Sequence, residues 1–126
     1  MAIRVPGKFL TLLVALLLLS ACQVGREHTP FLNAEPEVGS TQTRAPRTLR
    51  LFFAELPDVG RSTLSLQAAD GRQLNLRGMH TMGANDLMIE INDQVPNGEY
   101  TVYWKTVVEG DPVEYDGTFR FTVQSN

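Results

Sequence analysis

Alternation between apolar and polar side chains limits most strongly how this chain can fold. Leu49, Leu51 and Phe53 alternate with Arg50, Phe52 and Ala54, and Leu64 and Leu66 with Ser65 and Gln67. Leu87, Ile89 and Ile91 alternate with Met88, Glu90 and Asn92. The same rhythm runs through Tyr100, Val102 and Trp104, and through Phe119, Phe121 and Val123. A period of two sends successive side chains to opposite faces of a strand, and strands with one wet face belong to antiparallel sheets. No stretch after residue 22 carries a helical period.

Turn chemistry punctuates these strands. Asp70-Gly71 predicts a hairpin turn, with Leu74 and Leu76 on the return strand. Pro96-Asn97-Gly98 marks another turn. Phe31-Leu32, followed by Pro36 and Gly39, reads as an extended lead-in segment and a turn, while Ser40–Arg47 and Gly78–Asp86 read as irregular loops. The expected class is all-β: an immunoglobulin-like β-sandwich or a seven-stranded Greek-key β-barrel.

Cys22 is the only cysteine, so no internal disulfide can help hold the fold. It closes the run Leu19-Ser20-Ala21-Cys22, which follows Arg4, Lys8 and an apolar stretch, Phe9–Leu19, broken only by Thr11. Those 11 residues are too few to span a bilayer, which needs about twenty. They suit the core of a secretory signal, with small residues before the cut. Leu-Ser-Ala-Cys resembles a bacterial lipobox, implying cleavage before Cys22 and lipidation of that residue. The alternative is an ordinary signal with a chance cysteine. The expected organisation is a signal peptide over residues 1–21, a lipidated tether over 22–30 and one β-domain over 31–126. Gln23, rather than an aspartate, follows the cysteine, which by resemblance to lipoprotein sorting in two-membrane bacteria suggests the periplasmic face of the outer membrane.

Two of the eleven basic residues precede Cys22 and none of the fourteen acidic ones does, so the chain from Cys22 onward carries 9 − 14 = −5. With no Lys/Arg-rich run, binding to nucleic acid has no electrostatic support. Catalysis has little either. Two histidines, one cysteine destined for lipid and no phosphate-cradling glycine loop leave a thin repertoire, and the expectation is a protein that is not an enzyme.

Four segments, taken in order, resemble the copper resistance protein C (CopC) family of periplasmic copper-binding domains. His28 stands eight residues before Pro36, with Gly39-Ser40 following. Pro46–Phe53 is similar to the family's first core strand, and Gly98–Val108 to its Gly-x-Tyr-x-Val-x-Trp strand. Pro112-Val113, Gly117 and Phe119–Val123 resemble its closing hairpin. The resemblance covers about residues 28–123 and implies a Greek-key β-fold, export to the periplasm and copper binding. It implies a Cu(II) site built from an N-terminal histidine with its free amine and an Asp-x-His-Pro run. Here that run is Glu109-Gly110-Asp111-Pro112, and His28 lies inside the chain even after cleavage at Cys22. Two nitrogen donors are missing. Cu(II) prefers nitrogen in a tetragonal arrangement, so His28, Glu109 and Asp111 form at most a weakened remnant. Two extra residues also separate Pro112 from Gly117.

A softer donor set lies in Met79-His80-Thr81-Met82, with Met88 beyond it. After the initiator these are the only methionines in the chain, beside one of its two histidines. Thioethers select Cu(I), and imidazole tolerates it. The loop position also resembles the family's Met-rich segment. Met88 should face away from the core, because Leu87 and Ile89 face in. Methionines also fill irregular gaps in cores, so packing is the competing explanation. Glu109, Asp111, Glu114 and Asp116 crowd one hairpin, but they lack a Ca²⁺-loop spacing and read as a solvated turn. Two functions follow. One is a membrane-tethered periplasmic protein that holds or passes on copper, Cu(I) in preference to Cu(II). The other is a metal-free β-sandwich that docks onto an envelope protein through its faces or edge strands.

Overall fold

A computed structural model describes residues 29–126. Residues 1–28, and with them the expected signal peptide, Cys22 and His28, lie outside the described residues. Eight strands form two sheets: β1 (Phe31–Glu35), β2 (Thr41–Gln42), β3 (Thr48–Phe53), β4 (Thr63–Ala68), β5 (Leu76–His80), β6 (Asp86–Ile91), β7 (Gly98–Val107) and β8 (Glu114–Val123). One sheet has the order β1-β3-β6-β5 and the other β2-β8-β7-β4. The sheets stack as a sandwich and do not close into a barrel. All ladders are antiparallel except the short β2–β8 pairing. Among the described residues no helix is long and apolar enough to cross a membrane.

The period-two reading of the core holds. Leu49, Leu51, Phe53, Leu66, Leu87, Ile89, Ile91, Tyr100, Val102, Trp104, Phe119, Phe121 and Val123 are all buried between the sheets. Phe31, Phe53, Trp104 and Phe119 form an aromatic cluster, the partly buried Phe31 packing against the core, with ring centroids 5.3–5.9 Å apart. Stacked and edge-on rings at such distances add to the free energy of area burial. The buried hydroxyls of Ser62 and Thr106 pair with each other at 2.7 Å, as polar groups removed from water must.

Three expectations needed correction. The strand count is eight, because the presumed loop Ser40–Arg47 contains β2. The Asp70-Gly71 turn forms, with Gly71 at φ 91° and the Asp70 carboxylate accepting from the Arg72 amide. It does not build a lasting hairpin, however. Hydrogen bonds link Ala68 to Arg72 and Leu74 to Leu66, and the chain then crosses to the other sheet. There β5 pairs with β6, while β4 pairs with β7. Finally, β5 extends to His80, into the stretch expected to be irregular.

Candidate metal centre

Glycine decides which donors reach the outer face of the first sheet. Arg77 lies opposite Glu90 and His80 opposite Met88, so two residues of β5, Gly78 and Met79, face one residue of β6. This is a β-bulge, and Gly78 adopts φ 72° within it, a left-handed conformation that side-chain-bearing residues avoid. Strict alternation from Arg77 would point Met79 outward and His80 inward. The bulge reverses that: Met79 packs against the core and His80 is exposed.

His80 and Met88 are therefore directly opposed on one face, where paired Cβ atoms stand about 5 Å apart. Arg50 completes the row on the other side of Met88. The Nδ1 atom of His80 lies 2.6 Å from the Gly78 carbonyl oxygen. A carbonyl can only accept, so Nδ1 is the donor, and in the neutral imidazole the lone pair resides on Nε2. Ligating histidines are commonly oriented in this way, through a bond from the other ring nitrogen. Met82 follows in the β5–β6 loop and is 60% exposed.

Asp86 begins β6 and is fully buried. Its Oδ2 accepts from Arg50 Nε at 2.8 Å. Its Oδ1 accepts from the Thr81 hydroxyl and from the amides of Met82 and Ala84. Burial by itself would raise its pKa. The bonds from Arg50, Thr81, Ala84 and Met82 outweigh that and hold the carboxyl below its usual range. The Arg50 guanidinium also lies 4.7 Å over the Phe52 ring.

The harder donors occupy the β7–β8 turn, in the other sheet. Glu109 is exposed, and its amide donates to the Leu56 carbonyl. The Asp111 carboxylate accepts from the Val113 amide at 3.0 Å and from the Tyr115 hydroxyl at 2.6 Å. The bond to Asp111 raises the Tyr115 pKa. Among the described residues no three His, Cys, Asp or Glu side chains group to hold a metal. Both donor sets nevertheless sit at one end of the sandwich. The Ala54 amide donates to the Pro30 carbonyl and its own carbonyl accepts from Asn85, while Leu56, two residues on, takes the Glu109 amide.

Sequence reasoning missed Gly78, Asp86 and Arg50 as parts of this region. An isolated glycine in a strand pattern signals a bulge and could have revealed Gly78. Nothing local announces that Asp86 is buried.

The fold defines the class: an all-β domain of two stacked four-stranded sheets. The chain belongs to the CopC family: the CopC domain model matches residues 31–124. Among solved structures it is similar to CopC from Methylosinus trichosporium OB3b (18% identity, TM-score 0.68, covering 79% of this chain and 96% of that one). It is also similar to PcoC, a methionine-rich copper resistance protein from Escherichia coli (21% identity, TM-score 0.68, covering 78% of this chain and 100% of that one). At these identities the likeness establishes a shared fold. No curated protein matches the chain in sequence.

Proposed function

We propose that this protein is a periplasmic copper-binding protein, tethered to a membrane through lipidated Cys22, that holds Cu(I) reversibly and passes it on. Membership of the CopC family and the likeness to copper resistance proteins support the copper-binding reading. The observation that carries the Cu(I) reading is the 2.6 Å contact between His80 Nδ1 and the Gly78 carbonyl oxygen. With Nδ1 turned to the Gly78 carbonyl, Nε2 is presented on the face that Met88 shares. Imidazole with one or two thioethers is a soft donor set suited to Cu(I). His80, Met88 and Met82 would bind the ion, and Met79 would support them from the core side. An open, exposed site favours exchange with a partner over permanent retention. His28, Glu109 and Asp111 would form the weakened Cu(II) remnant.

One observation favours the alternative of a metal-free docking module. Asp111, where the family resemblance calls for a histidine, uses its carboxylate to hold its own turn. Titration of residues 23–126 with Cu(I) and with Cu(II), each against a competing chelator, decides between the two. This segment contains every core residue described above and excludes the Cys22 thiol, which would itself capture Cu(I). Tighter binding of Cu(I) is expected. Failure to bind either ion would replace this reading with the docking module.

A further inference from the structure

Asp86 is the one fully buried carboxylate among the described residues, and copper ligation gives it no direct task. Its Oδ1 gathers three donors from the β5–β6 loop: the Thr81 hydroxyl at 2.9 Å, the Met82 amide at 3.0 Å and the Ala84 amide at 3.2 Å. The Thr81 hydroxyl in turn accepts from the Gly83 amide at 3.1 Å. Each loop residue from Thr81 to Ala84 is thereby tied to one carboxylate oxygen, directly or through Thr81. A buried anion bonded by several N–H and O–H groups fixes the backbone that supplies them, since no water can substitute.

We infer that Asp86 is a positioning residue: it locks the β5–β6 loop so that the Met82 backbone is held beside Asp86, two residues from Met88 along β6. The inference rests on the Cu(I) reading above. Met82 has an exposed, flexible side chain, and its entropy opposes ligation. Anchoring the chain at Thr81, at Met82 itself and at Ala84 removes the backbone's share of the ordering cost before the ion arrives. Outer groups that orient metal ligands are worth about 10–100-fold in metal affinity.

The test uses residues 23–126 with four variants: Asp86→Ala, Thr81→Val, Met82→Leu and the Thr81→Val/Met82→Leu double variant. Cu(I) affinity is measured by chelator competition, and X-ray absorption counts the sulfur atoms around the ion. Asp86→Ala should weaken Cu(I) binding about 10–100-fold and lose one sulfur. Thr81→Val should do the same to a smaller degree. It leaves the Arg50–Asp86 ion pair in place, so it carries the test alone if Asp86→Ala does not fold. In the Met82→Leu background, Thr81→Val should have no further effect, because its whole influence passes through Met82. Lower melting temperatures with unchanged affinity and sulfur count would overturn the inference, leaving Asp86 a purely structural anchor. So would an equal loss from Thr81→Val in both backgrounds. A parent that binds no Cu(I) overturns the copper reading and this inference with it. A parent that binds normally beside unaffected variants overturns this inference alone.

Discussion

Gly117 lies directly opposite Trp104 in the β7–β8 ladder, and the indole ring occupies the space a Cβ would need. A Cβ built at Gly117 would stand 2.7–2.9 Å from three ring atoms, closer than van der Waals contact permits. Trp104 cannot retreat easily, because Phe31 stacks on it at 5.3 Å and Phe53 meets it edge-on at 5.5 Å.

Gly117→Ala should therefore destabilise the domain by about 1–3 kcal/mol, the usual cost of overpacking a filled core. Trp104→Ala should cost more, about 3–5 kcal/mol, a large share of the stability of a small domain. Urea unfolding followed by circular dichroism measures both. Near-parental stability of Trp104→Ala would contradict the aromatic cluster.

Gly78→Val should remove the bulge that turns His80 outward. A β-branched residue at φ 72° is strained by about 1–3 kcal/mol, so the ladder should slip back toward strict alternation. Stability should fall, and the His80 ring signals in a nuclear magnetic resonance spectrum should move to those of a less exposed imidazole. Unchanged His80 signals would mean that the bulge tolerates a side chain.

Acid should unfold the protein partly through Asp86. Its folded pKa is depressed by its hydrogen bonds, so the folded state binds a proton less readily than the unfolded state. The stability it contributes is fully present above the unfolded value of about 3.9. It is lost as pH falls from there through the depressed folded value. The urea midpoint of the parent should drop below about pH 4, while Asp86→Ala should be less stable at neutral pH and show a shallower drop.

The methionines should divide by face. Met82→Leu with Met88→Leu should abolish Cu(I) binding and leave the fold intact, since volume-conserving exchanges cost less than about 1.5 kcal/mol. Met79→Leu, on the core side, should weaken binding least. Chelator competition and thermal melting report the two properties separately.

Cys22→Ser should release the protein from membranes or block its processing. Stable anchoring takes two acyl chains, and only a cysteine receives them in the run Leu19–Cys22. Sedimentation of membranes from cells making each form checks it. A fully processed, membrane-bound serine variant would defeat the lipoprotein assignment.

Much of the fold was legible because alternation is a local property. Leu49, Leu51 and Phe53 need no distant partner to declare a shared face. The turn at Asp70-Gly71 was legible for the same reason, as was the burial of Tyr100 and Trp104. The outward placement of Met88 followed from its neighbours Leu87 and Ile89, and it stands half-buried between Arg50 and His80. Pairing was not legible. Leu64 and Leu66 show an apolar face but do not say which strand lies beside them. The Asp70-Gly71 turn therefore suggested a hairpin that the crossing of the chain between sheets replaces.

By itself the sequence determined the all-β class, the faces of the main strands, the lack of a second cysteine for an internal disulfide and the residue types available to a metal. Each depends on neighbours a few positions apart or on composition. Only the tertiary structure decided that β4 joins β7 and that the Gly78 bulge exchanges Met79 for His80 on the outer face. It alone buried Asp86 against Arg50, 36 residues away. Those outcomes depend on which distant backbone and side-chain groups satisfy one another once water is excluded, and no local pattern encodes that choice.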